Sequence, residues 1–340
     1  MADQFLSADR LNIPRHFVRN GEVNRSAMYR SLVENRTLRE DETKQIEGAL
    51  TRVARRDLRA VADLSSAGLV VPLRNIGVTS YEFDRVAPVG KATQSMSILN
   101  LGERDLVRFA RNAVPVPVTA SQFELDARRQ AAGTTIGEPI DVTNVEEHTR
   151  SVAETMDDTL VNGSNVVLGA NTLPGYTNFG PRHQLSYSDA PWPTISGDKE
   201  PAVTDVLAAR TALRDTGFTG PYVLYIPANF DGVIDEDYKA ESDRTLRDRL
   251  LAIDGIQDIR VLPTLPDNQV LLVQLTSSVV VWASGQDITT VTWDFMGGLG
   301  SRWAILNVGA PALKEAFSRE PLSEGVLPDL TTSTGIAHIA

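Results

Sequence analysis

Hydrophobic and polar positions follow different periods in successive parts of the chain, and each period predicts a different element. Residues 1–40 alternate without a sustained period, which is typical of an extended arm with short helical turns. From Asp41 the apolar residues recur at the spacing of one helical face, which predicts a helix of about 20 residues within 41–66. That face consists of Ile46, Leu50, Val53, Leu58 and Val61.

Between residues 68 and 120 the pattern becomes that of strands. The runs 69–73, 81–86 and 114–118 are short and either β-branched or alternating, and turn residues separate them. This order predicts a long hairpin whose tip lies near residues 89–92. A two-stranded ribbon has one face and no core of its own, so we expect it to lie on a neighbouring subunit.

The most regular helical pattern runs over residues 143–162. Thr143 and Glu146 have the spacing of a capping box at its start, and Asn162-Gly163 is a typical helix end because either residue can adopt a left-handed conformation. The buried face is predicted to consist of Val145, Val152, Met156 and Leu160. Residues 170–200 are rich in Gly, Pro, Asn, Ser and Asp, which predicts a long irregular excursion.

Helix and strand patterns alternate after residue 200, which indicates a mixed α/β domain. Helices are predicted over 241–253 and over 202–217, the latter with Val206, Leu207 and Leu213 buried. Strands are predicted over 222–227, 259–263, 269–275, 278–282, 291–295 and 304–308. The tail after Arg319 is polar, and we expect it to be loosely held.

The composition is that of a chain that folds. Hydrophobic residues make up 42% and charged residues 23% of its 340 residues, both ordinary values, and the length predicts two connected domains. The net charge of −11 disfavours a sequence-specific nucleic-acid binder, which needs clustered Lys and Arg. Residues 1–60 nevertheless carry 12 basic against 9 acidic residues, a net of +3, which leaves 21 against 35, or −14, for the rest. Arg52, Arg55, Arg56 and Arg59 form either a solvated face or a face toward a polyanion.

Several kinds of chemistry have no support in the sequence. The chain has no cysteine, which excludes disulfides, thiolate nucleophiles and zinc–cysteine sites. No helical histidine pair, nucleophile elbow or phosphate-binding loop occurs, and the histidines are far apart, at His16, His148, His183 and His338. The absence of a basic and apolar leader, and of a run of 18 apolar residues, predicts a cytoplasmic protein that does not enter a membrane.

Two motifs allow more than one interpretation. Gly297-Gly298-Leu299-Gly300 follows a predicted strand and leads into another, so we interpret it as a turn rather than a phosphate loop. A cluster of Asp and Glu residues could bind a hard cation such as calcium through its carboxylate oxygens, but the spacing of these residues fits no calcium-binding loop. We interpret the cluster instead as a solvated surface loop whose charges repel one another. The cluster comprises Asp231, Asp235, Glu236, Asp237, Glu241 and Asp243. We therefore predict no catalytic, cofactor or metal site and interpret the protein as a non-enzyme.

The order of these elements resembles that of tailed-phage major capsid proteins and of the related encapsulin shell proteins. Residues 116–128, Val-Pro-Val-Thr-Ala-Ser-Gln-Phe-Glu-Leu-Asp-Ala-Arg, resemble the encapsulin segment that leaves the hairpin loop, and residues 143–162 resemble the spine helix that follows. Further similar segments are Asn162-Gly163, Leu173-Pro174-Gly175-Tyr176, the helix and strand at 202–217 and 220–224, and Gly285-Gln286-Asp287. Their collinearity over roughly residues 45–320 carries the resemblance.

The resemblance implies an α+β protein with the Hong-Kong-97-like capsid fold. That fold has an N-terminal arm, an extended β-hairpin loop, a peripheral domain with a long spine helix, and an axial α/β domain. The implied bounds are 1–40 for the arm, 41–66 for the N-terminal helix, 67–115 for the hairpin loop, 116–200 for the peripheral domain, 201–290 for the axial domain, and 291–340 for the return strands of the peripheral domain and the C-terminal tail.

The function that the resemblance implies is that of a major capsid protein, which self-assembles into an icosahedral shell around a phage genome. The implied partners are further copies in hexamers and pentamers, packaged DNA through non-specific contact, and scaffolding, portal and decoration proteins. Assembly is expected in the host cytoplasm and the final place in the virion. The alternatives are an encapsulin nanocompartment that encloses cargo protein and, in another class, a soluble acidic α/β enzyme or ligand-binding protein.

Some capsid proteins weld their shell through a hairpin-loop lysine that attacks an asparagine side chain of a neighbour. Lys91 lies near the predicted tip, but no partner Asn or catalytic Glu can be aligned with it, so a solvated turn lysine is the preferred interpretation. Assembled shells that migrate as monomers on a denaturing gel would reject a crosslink.

Overall fold

The computed structural model describes residues 18–19, 22–23, 47–50, 52–53, 59–73, 75–86, 94, 96, 109–126, 142–239, 243–295, 300–317 and 332–340. Its helices are α1 (Ala60–Ser66), α2 (Val142–Asn162), α3 (Glu200–Asp215), α4 (Asp231–Ile234) and α5 (Leu246–Leu251), with further helical residues at 47–50 and 52–53 and 3-10 turns at Trp192–Thr194 and Ala228–Phe230. Its strands are β1 (Val18–Arg19), β2 (Glu22–Val23), β3 (Val70–Pro72), β4 (Ser80–Val86), β5 (Phe109–Pro115), β6 (Val118–Asp126), β7 (Ser164–Leu168), β8 (Asn171–Leu173), β9 (His183–Leu185), β10 (Tyr222–Ile226), β11 (Ile256–Val261), β12 (Val270–Gln274), β13 (Val280–Phe295), β14 (Gly300–Leu313), β15 (Ala316–Phe317), β16 (Thr332–Ser333) and β17 (Ile336–Ile339).

A five-stranded sheet runs in the order β11-β10-β12-β17-β9. Strand β10 pairs in parallel with β11 and antiparallel with β12, and β17 pairs antiparallel with β12 and in parallel with β9. Every residue of β10 and β12 is buried, which explains why both strands are nearly continuous apolar runs. Helix α3 packs against β9, β12 and β17, and α5 packs against β11. The mixed α/β prediction for this region is therefore confirmed.

The prediction of a loosely held tail is wrong for the last residues of the chain. Strand β16 pairs with β15, and β17 lies inside the five-stranded sheet, where all four of its residues are buried. The four residues Ile-Ala-His-Ile follow a long polar stretch, so the composition of the tail as a whole is that of an exposed segment. The four-residue run is nevertheless long enough for an inner strand, because β12 and β9 pair with its two edges. Residues 318–331 lie outside the described part.

The helix predicted within 41–66 is not continuous, because α1 begins anew at Ala60 and Arg59 before it is not helical. The carboxylate of Asp157 on α2 accepts the backbone N–H groups of Arg59 at 2.7 Å, Val61 at 3.0 Å and Ala60 at 3.4 Å. A helix start leaves such N–H groups without an internal partner, so this carboxylate caps α1 from a distant part of the sequence. On the predicted apolar face, Leu50, Val53 and Val61 are buried, and Ile46 and Leu58 lie outside the described residues.

Helix α2 confirms the most regular helical pattern of the sequence. Its predicted face, Val145, Val152, Met156 and Leu160, is buried. The capping-box prediction is wrong, because α2 begins at Val142 and a capping residue must lie outside the helix, whereas Thr143 lies inside it. The predicted end is confirmed, since Asn162 is the last helical residue and Gly163 follows with φ +77°.

Two long strands replace several short predicted ones. Strand β13 covers 16 residues, so the strands predicted at 278–282 and 291–295 are parts of one strand, and Gly285-Gln286-Asp287 lies inside it. The Ser284 hydroxyl donates to Asp287 at 2.9 Å, and the Asn307 amide donates to the carbonyl of Gln286 at 2.8 Å. These hydrogen bonds satisfy polar groups within β13. In the sequence, the same polar residues suggest that the strand is interrupted. The sheet order is β3-β13-β14-β6, and β14 runs on to Leu313.

Two further predicted elements have different bounds in the structure. The run 114–118 belongs to two strands, because β5 ends at Pro115 and β6 begins at Val118, with Pro117 between them unable to donate a ladder hydrogen bond. The helix predicted over 241–253 starts only at Leu246, since the Thr245 side chain caps it by accepting the N–H of Asp248 at 3.2 Å.

Residues 170–200 are more ordered than an irregular excursion. They contain β8, β9 and a 3-10 turn, and the Tyr176 and Trp192 side chains are fully buried. The indole N–H of Trp192 donates to the buried Asp205 carboxylate at 3.1 Å, which satisfies both groups. On the helix that follows, Val206 and Leu213 are buried as predicted, whereas Leu207 is only half-buried.

The chain divides into two compact units. The first unit comprises Met1–Ala54, Ala120–Val152 and Ile288–Leu306, and the second comprises Arg55–Thr119, Ala153–Asp287 and Asn307–Ala340. These units are defined by how densely their residues pack, and such a division does not delimit functional domains. The domain bounds implied by the resemblance therefore stay a prediction.

Candidate assembly surfaces

Strands β4 and β5 form the ribbon that the sequence predicts. They pair antiparallel from Ser80 and Pro115 at one end to Val86 and Phe109 at the other. Seven residues a strand correspond to a ribbon of roughly 23 Å. The predicted tip at 89–92, with Lys91, lies outside the described residues.

The ribbon is attached along one face by the segment that follows β14. The Glu315 carboxylate forms an ion pair with Arg85 and accepts the Asn112 amide at 3.2 Å. The Lys314 ammonium lies 5.8 Å from the centre of the Phe83 ring and donates to the carbonyl of Ser277 at 2.8 Å. Burial lowers the pKa of Lys314. These contacts hold one face of the ribbon against its own subunit.

Part of the ribbon faces solvent, although β5 also packs against β7 and β8. Arg111 on β5 forms ion pairs with Asp84 at 3.2 Å and Glu82 at 3.5 Å, all three being exposed. Exposed pairs of this kind contribute at most about 1 kcal/mol. Phe109, which pairs with Val86 at the last described position of the ribbon, is 67% exposed. A large exposed aromatic ring is a candidate contact with another molecule, because aromatic residues are enriched at protein interfaces.

A second hairpin, β7–β8, was not predicted from the sequence. Val167 pairs with Thr172 and Leu168 with Asn171, and a two-residue loop joins the strands, with φ +65° at Gly169. Three consecutive apolar side chains at its tip are exposed: Val166 by 40%, Val167 by 56% and Leu168 by 43%. The signal for this hairpin is an apolar β-branched run followed by glycine, which lies directly after a strong helix and reads as its end.

The base of the second hairpin is closely packed. A Cβ on Gly163 would lie 2.7 Å from the N atom of Gly175, so the two backbones approach too closely for any side chain. Tyr176 and Thr177 donate their N–H groups to the last carbonyls of α2, at Leu160 (3.0 Å) and Val161 (2.9 Å). The structure thus brings together Asn162-Gly163 and Leu173-Pro174-Gly175-Tyr176, two segments that carry the family resemblance.

Buried polar groups hold α1 against the five-stranded sheet. The Asp63 carboxylate accepts the Tyr225 hydroxyl at 2.9 Å and forms an ion pair with Arg260 on β11. Asp157 caps the same helix, and burial raises the pKa of its carboxyl despite the three N–H groups that it accepts. Both carboxylates therefore hold α1 in place within the second unit.

The acidic cluster is partnered rather than self-repelling. Arg247 lies 2.7 Å from Asp235 and 3.8 Å from Asp231, and its guanidinium lowers the pKa of Asp235. Lys199 lies 3.2 Å from Glu236. The interpretation as a self-repelling loop is therefore wrong for these carboxylates, because cations distant in the sequence neutralise them. Asp237 forms a β-bridge with Thr245, Asp243 is exposed, and Glu241 lies outside the described residues.

One serine–histidine pair was missed by the sequence reasoning. Ser121 Oγ lies 2.6 Å from His148 Nδ1, and the Phe123 ring stacks on both His148 and Trp303, with centroids 4.9 Å and 5.9 Å away. The ring of a catalytic histidine is oriented by a carboxylate, whereas this ring is held by aromatic stacking in the first unit. Within the described residues, no group of three or more His, Asp or Glu side chains is placed to hold a metal ion. None of the described helices is long and apolar enough to cross a bilayer.

His338 lies in the interior of the five-stranded sheet. Its Nδ1 accepts the Arg182 Nε–H at 3.3 Å, and its Nε2 lies 3.0 Å from the Gln269 side-chain oxygen. Burial, with the charge of Arg182 as a smaller cause, lowers the pKa of His338 to about 4. His183 pairs with Thr216 at 3.2 Å, and burial lowers its pKa as well.

We expect the His338→Gln variant to lose part of the acid sensitivity of folding. The unfolded chain takes up a proton near pH 6.5, whereas the folded chain does so only near pH 4, so the free energy of unfolding falls as pH drops between these values. For one such histidine the fall from pH 7 to 5 is about 2 kcal/mol. Urea unfolding of both proteins at the two pH values measures it. An equal pH dependence in both would contradict the assignment.

Comparison with known proteins gives a family and a fold. The model of a family of unknown function, DUF6260, matches residues 35–294. No curated protein matches the sequence.

Solved structures match the fold over most of the chain. One is a virus-like particle from Pyrococcus furiosus, at 16% identity and TM-score 0.59, with 87% of this chain and 98% of that chain covered. Another is the capsid of Myoviridae phage XM1, at 12% identity and TM-score 0.61, with 81% and 90% covered. A third, the capsid of an empty GTA particle, has 13% identity and TM-score 0.54, with 83% and 90% covered. The predicted α+β, Hong-Kong-97-like capsid fold is thus confirmed.

Proposed function

The chain belongs to the family of unknown function DUF6260, and from its fold and surfaces we propose that it is the major capsid protein of a tailed phage. In this role it assembles into a closed icosahedral shell around the genome. Its partners are further copies in hexamers and pentamers, packaged DNA through non-specific contact, and scaffolding, portal and decoration proteins. It assembles in the host cytoplasm and ends in the virion.

The β4–β5 ribbon is the observation that carries the proposal. Glu315 holds one face of the ribbon through Arg85 and Asn112, and Phe109, in the last described residue pair, is 67% exposed. A two-stranded ribbon is marginally stable by itself, and in this proposal a neighbouring subunit covers the part that its own subunit leaves exposed. The domain bounds implied by the resemblance, with the ribbon in a hairpin loop at 67–115, form part of the proposal.

Closure of a shell makes many modest contacts cooperative. Each subunit of an obligate assembly buries on the order of 2,000 Å² or more, and a subunit held on all sides must break several contacts together to leave. An acidic subunit with a more basic N-terminal region suits a container for DNA, since weak non-specific contact suffices there. This charge distribution favours the phage head.

The second candidate is a nanocompartment of the encapsulin kind that encloses cargo protein. It is favoured by the similarity to the virus-like particle from Pyrococcus furiosus, of which the alignment covers 98%. The two candidates share the same fold and the same need for self-contact. They differ only in what the shell contains.

Electron microscopy of the purified protein tests the proposal. Closed particles that contain nucleic acid would support the phage head, and closed particles that contain protein would support the nanocompartment. A discrete monomer or dimer at high concentration would contradict both and favour the remaining alternative, an acidic α/β enzyme or ligand-binding protein.

Deletion of residues 1–40 is expected to impair assembly more than folding. A segment without a sustained apolar period buries little in its own subunit, so its contribution arises only against neighbours. The truncated protein should keep the thermal midpoint of the dissociated full-length subunit and form fewer particles, measured by calorimetry and by size-exclusion chromatography. A truncated chain that melts early would show that the segment belongs to the core of the subunit.

A further inference from the structure

The β7–β8 hairpin lies in a part of the chain that carries no charge. Residues 159–181 contain no Asp, Glu, Lys or Arg, although charged residues make up 23% of the chain. Other uncharged runs, such as 268–286, contain the buried strand β12 and the start of β13. In this run, by contrast, residues 165–170 are all exposed. A surface segment without charge in an acidic protein needs a physical explanation.

Apolar side chains are exposed on both faces of the hairpin tip, although the hairpin also packs against β5. Successive residues of a strand point to opposite faces, yet Val167 and Leu168 are 56% and 43% exposed. Natural strand edges that face water usually carry charges or prolines, which prevent pairing with other chains. This tip has neither, and the close approach of Gly163 and Gly175 holds its base in place.

We propose that this tip, residues 165–170, is a self-contact site that binds the same tip of a second copy of this chain. In a symmetric assembly identical residues meet around a rotation axis, so any charge at the axis would face its own copy and repel it. With a net charge of −11, two subunits repel one another, and an exposed uncharged tip is where they can approach most closely. A partner that carries the opposite charge would be recognised by complementary charges, which the tip lacks.

The inference rests on the proposed shell function and names one of the contacts that build the shell. The tip would add apolar area and backbone edges at a symmetry axis, next to the β4–β5 ribbon, whose strand β5 packs against the hairpin. Because the two contacts use different residues, they can be disrupted one at a time.

The absence of native cysteine allows a direct crosslinking test. Val167→Cys should form a disulfide-linked dimer on mild oxidation of the assembled protein, since tips that meet place equivalent residues side by side. Ala208→Cys, on the exposed face of α3, is the matched control and should stay monomeric. A dimer band for the first variant alone supports the proposal, and equal bands or none overturn it.

A charge substitution gives the second measurement. Val167→Asp should keep the urea-unfolding midpoint of the parent, because the side chain is exposed. It should raise the protein concentration at which particles form by at least about tenfold, because like charges would meet at the axis. Val167→Thr, of similar shape and uncharged, should assemble nearly as the parent does. Equal assembly of the Asp and Thr variants would overturn the self-contact and leave the shell function standing. A parent protein that forms no particles, with a monomeric Val167→Cys variant, would overturn both.

Discussion

Replacement of Asp157 by alanine is expected to lower the free energy of unfolding of the subunit by about 3 kcal/mol. The change removes the acceptor for the N–H groups of Arg59, Ala60 and Val61. Hydrogen bonds to a charged group contribute about 1.5–3 kcal/mol each, and buried N–H groups left without a partner add a further cost. The sum is reduced because burial raises the pKa of Asp157, which shows that ionisation of the carboxyl is itself costly in the folded state.

Urea unfolding of the dissociated subunit near pH 7 measures this effect. Asp157→Asn should lose less than the alanine variant, because its amide oxygen still accepts hydrogen bonds and has no ionisation cost. Glu154→Gln, at an exposed position of the same helix, is the control and should change stability by less than about 0.5 kcal/mol. An alanine variant within 1 kcal/mol of the parent would show that α1 does not depend on this carboxylate.

Asp157 also illustrates what the sequence cannot reveal about the fold. The helical period predicts the buried face of α2 and places Val61 on an apolar face, because periodicity records which side of an element meets a core. It cannot predict where α1 begins, since the capping group lies about 100 residues away in the chain. Strand β17 was missed for a related reason: four residues become an inner strand only because β12 and β9 flank them.

The sequence predicts the candidate surfaces only in part, as it does the fold. The β4–β5 ribbon follows from strand patterns and turn residues that are local in sequence, and its predicted dependence on a neighbour follows from its lack of a core. Exposure of Phe109 was not predictable, because an aromatic residue in a strand is more often buried. The neutralised acidic cluster required knowledge that Arg247 and Lys199 meet it in space.

Replacement of Phe109 by aspartate is expected to abolish assembly at concentrations that suffice for the parent, while folding is retained. The ring is 67% exposed in the single subunit, so its loss should change the free energy of unfolding by less than about 0.5 kcal/mol. Full burial of a phenylalanine contributes about 1.5–3 kcal/mol, and an unpaired carboxylate in the same place would add a desolvation cost. A loss of about 2.7 kcal/mol corresponds to a hundredfold rise in the concentration required.

The experiment compares Phe109→Asp with Phe109→Leu, which keeps an apolar side chain at the end of the ribbon. Sedimentation velocity over a concentration series gives the onset of particle formation, and circular dichroism with urea unfolding reports folding. The leucine variant should assemble within about tenfold of the parent concentration, because it keeps most of the buried apolar area. If the aspartate variant forms particles at the parent's onset, Phe109 is not part of an interface, and the ribbon that carries the capsid proposal would need another explanation. If it unfolds, the ring belongs to the interior of its own subunit, which its exposure argues against.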